Sequence, residues 1–312
     1  MAIKRVEFPA FREAWEAIKE AHADSGSDCN PMNMFLLGVS GVGKSFLLRQ
    51  YEAAHPKIHT DELTVIPVLF ITIPSSPTRR GIYVAFLEGL GQDGSRGSTA
   101  QLQRRAKILC QKVGVEIIFI DEIQHFLDRG QAHAHAAAAD TLKEMLDLLG
   151  RPAVFSGAPR SRILFNHNSQ LRSRIMTTIR LWPFDLNQIL PLRGFVHALT
   201  ADFPEASRQW LSSDEVATRI FFATDGIHRN IAGLLKLISK SSANNVAPDF
   251  ACLKKVFERK WSPSDATLNP FHERFPMRRL NLQGEPFMPT YLDGDDHADF
   301  FHPTGTATYE TV

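Results

Sequence analysis

The sequence has few cysteines, no long apolar run and almost no net charge, and each absence excludes a class of protein. Its three cysteines, Cys29, Cys110 and Cys252, are far apart, so we expect neither a disulfide framework nor a cysteine metal site. No run of roughly 18 uncharged apolar residues is present, which excludes a membrane-spanning helix. The N-terminal residues lack the apolar core of a signal peptide. The expected location is therefore the reducing cytoplasm, without membrane contact.

The composition is that of a globular protein with ordinary charge. The 312 residues are 44% apolar and 22% charged, which is enough to bury a core, and length alone suggests about two domains. Lysine and arginine number 35 against 34 acids, for a net charge of +1. Overall charge therefore indicates no nucleic-acid partner, and only the distribution of charge along the chain can do so.

The most informative stretch is GVSGVGKS at residues 38–45, which follows an apolar segment and precedes a helical one. It matches the pattern G-x-x-x-x-G-K-[ST] without a mismatch. Its glycines let backbone N–H groups surround a phosphate chain, and the following helix directs its N-terminus at the anion. We expect Lys44 to contact the β- and γ-phosphates and Ser45 to bind Mg²⁺. The alternative is a glycine-rich turn with an accidental lysine. The predicted nucleotide-binding residues are Gly38, Val39, Ser40, Gly41, Val42, Gly43, Lys44, Ser45 and Phe46.

A second motif is the apolar segment 115–120, which is followed by Asp121 and Glu122. In open α/β sheets, ligands bind at the carboxyl edge of the strands, where these acids would lie. We expect Asp121 to hold Mg²⁺ through water and Glu122 to polarise the water that attacks the γ-phosphate. Many strands end in acids, so this motif gains its weight from the phosphate-binding pattern about 80 residues upstream.

Five apolar segments alternate with helical patterns, which predicts a parallel sheet flanked by helices. The fourth segment ends at Ser156, whose hydroxyl is a candidate to sense the γ-phosphate or hold the attacking water. A helix over residues 8–23 precedes the first segment. The predicted strands are 33–37, 65–73, 115–122, 151–156 and 176–181.

Residues 151–180 carry six arginines and no acid, and some of the arginines come just before the fifth predicted strand. From this edge of a nucleotide-binding domain, an arginine finger can complete the site of a neighbouring subunit. Arg174 is the first candidate for that role and Arg172 the second. The alternative is a basic surface patch.

Beyond residue 182 the pattern changes to helices without strand signals. We interpret residues 1–182 as the nucleotide-binding domain, 183–260 as a small α-helical lid and 261–312 as a tail. Arg229, at the start of one lid helix, is a candidate to reach the γ-phosphate. Residues 281–312 have six acids and no lysine or arginine. That composition predicts a tail that is disordered until it meets a partner, or else a terminus without a role.

The order of these motifs resembles that of the AAA+ ATPases and, more narrowly, that of the TniB/TnsC family of transposition regulators. The resemblance covers about residues 8–245, and it departs from the family pattern at Ser45 and Ser156, where other polar residues are more common. The Asp-Glu-x-Gln-His form of the second motif is a particular trait of that family. The residues that carry the resemblance are GVSGVGKS at 38–45, IIFIDEIQHF at 117–126, SGAP at 156–159 and QLRSR at 170–174.

The resemblance implies an α/β fold of the ASCE P-loop type, with a five-stranded parallel sheet, a helical lid and a partly disordered C-terminal tail. It implies an ATPase that uses ATP and Mg²⁺ and forms a homo-oligomer, as a ring or helical filament, on duplex DNA. The arginine finger would then act in trans, and the assembly would recruit a transposase and receive a target-selection protein.

The basic segment 78–112 has seven lysines or arginines and two acids. By itself it fits two helices with solvated faces, but the resemblance implies that it lines a DNA channel. Contacts to phosphates hold DNA without reading its sequence. The candidate DNA-binding residues are Arg79, Arg80, Arg96, Arg104 and Arg105.

Three alternatives remain open at this point. One is an AAA+ helicase loader or replication initiator, although an initiator usually carries a sequence-specific DNA module and no helix-turn-helix or zinc-finger pattern is visible. Another is a nucleotide-gated scaffold with little turnover, against which the presence of Glu122 argues. The third is a small-molecule kinase, which would leave the arginine cluster and the lid without a purpose.

Overall fold

The computed structural model describes residues 8–26, 31–75, 77–128, 132–167, 169–241, 247–263 and 265–288. The described chain forms two compact units. The first contains residues 10–40 and 44–181, and the second contains residues 8–9, 41–43 and 182–288. Nowhere in these ranges is a helix both long and apolar enough to cross a membrane.

The first unit is built on a five-stranded parallel sheet, which confirms the predicted fold class. The strands of the chain are β1 (Asn33–Leu37), β2 (Ile58–His59), β3 (Thr64–Val65), β4 (Val68–Thr72), β5 (Ile117–Asp121), β6 (Ala153–Gly157) and β7 (Ile175–Arg180). The sheet has the order β4-β5-β6-β1-β7. Every residue of β1, β5 and β6 is buried, as expected for central strands covered on both faces.

Helices precede and separate these strands. The face of α1 that is predicted to be apolar is buried, including Phe11, Trp15 and Ile18. Because β-α alternation returns each strand to the same direction, the loops that follow the strands collect at one edge of the sheet. The helices are α1 (Pro9–Ala23), α2 (Lys44–Ala54), α3 (Arg79–Gly89), α4 (Thr99–Lys112), α5 (Ala132–Leu149), α6 (Arg162–His167) and α7 (Ser169–Arg172).

The second predicted strand, 65–73, is divided at Pro67. Thr64–Val65 forms β3 and pairs with β2 in a separate antiparallel hairpin, and the sheet strand β4 begins only at Val68. Proline has no N–H to donate to a sheet ladder, so a strand tends to begin after it. The Pro67 carbonyl instead accepts from the N–H groups of Glu116 and Ile117 at 2.8 and 3.1 Å.

A single asparagine connects three strands near their amino ends. Asn33 is buried in β1, and its side-chain oxygen accepts from the N–H of Ala153 at 2.9 Å. Its side-chain nitrogen donates to the carbonyls of Pro31 and Arg174, each at 3.2 Å. The bond to Ala153 is buried, and a buried N–H without a partner is costly, so the polar side chain helps set the positions of β6 and β7 beside β1.

The second unit is helical, as the sequence predicts. Its short helix α9 has seven residues and follows Pro204, so it is too short to show a clear helical period. The core of the unit includes Leu192, Ile220, Leu234 and Phe257. The helices are α8 (Ile189–Leu199), α9 (Glu205–Leu211), α10 (Asp214–Thr224), α11 (His228–Ser241) and α12 (Phe250–Trp261).

Residues 265–288, which belong to the predicted tail 261–312, pack against these helices. Phe271, Phe275 and Leu280 are buried in the helical core. Arg279 also forms a two-bond ion pair with Asp225 at 2.6 and 2.7 Å. Burial of the aromatic side chains stabilises this segment despite its lack of helical periodicity. The rest of the predicted tail, 289–312, lies outside the described residues.

Candidate nucleotide site

The glycine-rich loop joins the end of β1 to the start of α2, as its sequence pattern predicts. Gly41 and Gly43 have φ angles of +87° and +98°, which are accessible to glycine and strained for other residues. The Gly38 N–H donates to the carbonyl of Gly157 at 3.2 Å, so the first residue of the loop is tied to the end of β6. The first turn of α2 directs its N–H groups into this loop, which is the arrangement that binds phosphate.

Lys44 is the first residue of α2 and is only 9% exposed. Its ammonium group donates to the carbonyls of Gly38 at 2.6 Å and Val39 at 3.1 Å. A buried ammonium must have such partners because desolvation disfavours its charge. The lysine is therefore held over the loop from which it would reach a phosphate chain, and Ser45 follows it half-buried.

The predicted acids lie at the end of β5, which is two strands from β1 in the sheet. Asp121 is 3% exposed, and one of its carboxylate oxygens accepts from the N–H of Glu122 at 2.9 Å. Glu122 has φ +61° and ψ +36°, a left-handed conformation that is uncommon for a residue with a side chain and that often marks functional sites. A serine hydroxyl and a carboxylate are the oxygen donors that Mg²⁺ prefers, so Ser45 and Asp121 fit the predicted metal.

Ser156 lies within β6, between β5 and β1, and is completely buried. Its hydroxyl has no hydrogen-bond partner among the described residues. A buried hydroxyl without a partner is rare in folded proteins. Ser156 is also followed by Gly157, where an added Cβ would lie 2.7 Å from Ile123 and from the Ser161 hydroxyl, so the end of β6 is tightly packed against the turn that follows β5.

Gln124 contacts Glu122 directly, although it is not among the predicted site residues. The Gln124 side-chain nitrogen donates to the Glu122 carboxylate, and its oxygen accepts from the Ala158 N–H at 3.1 Å. His125 lies 3.8 Å from the same carboxylate and 3.2 Å from Asp128. The Asp-Glu-x-Gln-His pattern contains this glutamine, but its contact with Ala158 across 34 positions cannot be read from spacing.

Arg229 is the second residue of α11 and belongs to the second unit. Its N–H donates to the carbonyl of Gly41, in the same unit, at 2.9 Å. A Cβ at Gly41 would lie 2.9 Å from Ile227, so a larger residue is excluded on steric grounds as well as by the φ angle.

His228, which precedes Arg229, stacks on Phe8 at a ring distance of 4.6 Å. Burial lowers the pKa of His228 to about 3, so this imidazole is neutral.

The two candidate arginine fingers differ in their surroundings. Arg174 precedes β7 and forms an ion pair with Asp147 of α5. Arg172 ends α7 and is exposed. Both precede β7, which is an edge strand of the sheet, and among the described residues an ion pair with a carboxylate is seen for Arg174.

The five candidate DNA-binding arginines do not form one uniform group. Arg79 is ion-paired with Glu144. Arg80 and Arg105 donate to the carbonyls of Ser95 and Asp93, at 2.7 and 3.2 Å, and so hold the loop between α3 and α4. Arg96 and Arg104 are exposed. Of the five, Arg104 has the clearest helical setting, because exposed Lys107 and Gln111 follow it on the same face of α4.

The five-stranded parallel sheet, the phosphate loop after β1 and the two acids at the end of β5 define an AAA+ ATPase fold. The chain belongs to the TniB family, because a family model described as bacterial TniB protein matches residues 3–184. No match is found among curated protein sequences.

Solved structures support the same fold. The chain is similar to the ORC2 protein of Aeropyrum pernix, with ADPNP and ADP, at TM-score 0.60 and 14% identity over 82% of this chain and 70% of that chain. It is similar to the Aeropyrum pernix ORC1 protein in complex with DNA, at TM-score 0.57 and 15% identity over 82% and 66%. For Cdc6p of Pyrobaculum aerophilum the values are 0.52, 16%, 78% and 64%. The chain thus spans only about two thirds of these proteins, and identities this low show the fold alone.

Proposed function

We propose that this chain is an ATPase that assembles on duplex DNA when ATP is bound, and that it regulates DNA transposition by recruiting a transposase to a selected target. The observation that carries the ATPase part is the gathering of the Lys44 loop, Asp121 and Glu122 at the carboxyl edge of one parallel sheet. Membership of the TniB family supports the transposition part.

The roles of the residues follow from their chemistry. Lys44 and the loop N–H groups bind the phosphate chain, and Arg229 contributes from the start of α11. Ser45 and Asp121 would hold Mg²⁺, which when bound neutralises charge on the β- and γ-phosphates. Glu122 orients and polarises the attacking water, and Ser156 offers a hydroxyl to that water or to the γ-phosphate. An acidic water-orienting group and a cationic clamp are what phosphoryl transfer to water requires.

The site is completed, in this proposal, by an arginine from a neighbouring subunit of a ring or filament. Arg174 is the first candidate and Arg172 the second, because both precede the edge strand β7. Arg174 also forms an ion pair with Asp147, and the planar guanidinium of arginine is suited to bind a phosphate through two hydrogen bonds.

The proposal is tested by DNA binding and electron microscopy on a plain duplex of arbitrary sequence. We expect rings or filaments with ATP and with a non-hydrolysable analogue, and their loss with ADP or without nucleotide, because ATP stabilises the subunit contact. Binding restricted to one defined sequence would indicate a replication initiator instead. Absence of DNA binding in every nucleotide state would contradict both readings and leave an ATPase with another client.

The exposed face of α4 is the proposed DNA contact, and it supplies the matched test. Replacing Arg104 and Lys107 together with alanine should weaken DNA binding for all sequences and reduce the slope of log affinity against log salt by about 2, since each lost phosphate contact removes about 1. Lys19→Ala, which removes one exposed charge from α1, is the control and should leave the slope unchanged. An unaltered slope in the double variant would move the DNA site away from α4.

A further inference from the structure

Gln124 joins the two strand ends on which the proposed hydrolysis depends. It lies in the short 3-10 turn Ile123–Leu127 directly after β5. Its side-chain nitrogen donates to the Glu122 carboxylate and its oxygen accepts from the Ala158 N–H, one residue beyond β6. The amide cannot exchange its two ends without losing both bonds, because a carboxylate only accepts and an N–H only donates. The side chain is therefore a bridge of fixed polarity.

The Glu122 carboxylate has few other restraints. The side chain is 38% exposed, so packing covers only part of it. Besides Gln124, the described contact of the carboxylate is His125 at 3.8 Å, which is long for a hydrogen bond. The Glu122 backbone is fixed in a left-handed conformation, but that conformation determines where the side chain begins and not where its oxygens lie.

The β6 end of the bridge is rigid. An added Cβ at Gly157 would lie 3.1 Å from the Gln124 oxygen and 2.7 Å from both Ile123 and the Ser161 hydroxyl. This close packing keeps the Ala158 N–H at a fixed place relative to the turn that carries Gln124. Ser156 lies on β6, two residues before Ala158. Through Gln124, the Glu122 carboxylate is thus connected to the end of the strand that carries the predicted γ-phosphate sensor, Ser156.

We propose that Gln124 is a positioning residue for ATP hydrolysis, which holds the Glu122 carboxylate at one place relative to the end of β6. This inference rests on the proposed function, since it assigns Gln124 a part in the same site. Gln124 itself touches neither the nucleotide nor the attacking water in this proposal. Its contribution is to keep the carboxylate where it orients that water, so it affects the rate of hydrolysis and not the affinity for ATP.

The test compares Gln124→Leu, which removes both bonds, with Gln124→Glu, which retains an acceptor for Ala158 but loses the donor to Glu122. Both variants should lower kcat for ATP by about 10- to 100-fold, with KM and ATP affinity at wild-type values. Gln209→Leu is the matched control, because Gln209 makes the same kind of bond to the Glu205 carboxylate at 3.0 Å on exposed α9. It should leave kcat unchanged.

A double variant separates positioning from general loss of structure. In a Glu122→Gln background, Gln124→Leu should have no further effect on single-turnover hydrolysis, because the carboxylate that it positions is gone. Two results would overturn the inference: a wild-type kcat in Gln124→Glu, or an equal loss of activity from Gln124→Leu with and without Glu122→Gln. Gln124 would then only stabilise the end of β6. The same assay is first run on the wild type, and absence of ATP turnover there would instead refute the proposed ATPase activity.

Discussion

Replacing Lys44 with alanine is expected to lower ATP affinity by roughly 10- to 100-fold. The ammonium group is the main cationic ligand that the loop offers to the phosphates, and a charge-assisted hydrogen bond contributes about 1.5–3 kcal/mol, which corresponds to about one to two factors of ten. The measurement is a titration with a fluorescent ATP analogue, accompanied by urea unfolding. Unfolding is needed because Lys44 also satisfies the carbonyls of Gly38 and Val39.

Lys57→Ala is the control for this change, since Lys57 is an exposed lysine shortly after α2. It removes the same charge without touching the loop, and ATP affinity should remain at the wild-type value. Unchanged affinity in Lys44→Ala would contradict the assignment of the loop. A lower urea midpoint with unchanged affinity would assign Lys44 to loop structure alone.

Replacing Glu122 with glutamine should lower ATP turnover by about 1,000-fold while ATP affinity is preserved. The amide has nearly the same shape but cannot polarise or take a proton from water, and general-base assistance contributes about 100- to 10,000-fold. DNA-bound assemblies should also last longer, because ATP that is not hydrolysed continues to hold the subunits together. Turnover by phosphate release and lifetime by dissociation from immobilised duplex are the two measurements.

Glu62→Gln is the matched control for the loss of one carboxylate, because Glu62 is exposed in the loop between β2 and β3. Its turnover and complex lifetime should equal those of the wild type. If Glu122→Gln also behaved as the wild type in both measurements, the chain would be a nucleotide-gated scaffold in which ATP favours assembly and hydrolysis plays no part.

The phosphate loop and the strand ends are predictable from the sequence because their requirements are local. The positive φ angles of Gly41 and Gly43, the lysine at the start of α2 and the acids after β5 all belong to short contiguous stretches. The order of these stretches resembles that of the AAA+ ATPases, and that resemblance implies the fold. The interruption at Pro67 is also a local effect, since it results from a missing N–H.

The C-terminal segment shows what a lack of helical periodicity leaves open. Residues 261–280 belong to the predicted tail, yet Phe271, Phe275 and Leu280 are buried and Arg279 pairs with Asp225. Aromatic side chains that find a complementary core bury enough surface to order an irregular chain. Composition shows that such side chains are present, but it does not show whether the folded protein has a core against which they can pack.

What the sequence by itself determined is the local structure of the candidate site: a glycine-rich loop before α2 and two acids at the end of β5, with residue types that suit phosphate, Mg²⁺ and water. What only the tertiary structure decided is which distant groups meet them. The contact between Gln124 and Ala158, the bonds of Asn33 to Ala153 and Arg174, and the pairing of Arg174 with Asp147 join segments far apart in the chain. Such contacts depend on strand register and packing, which no local pattern specifies.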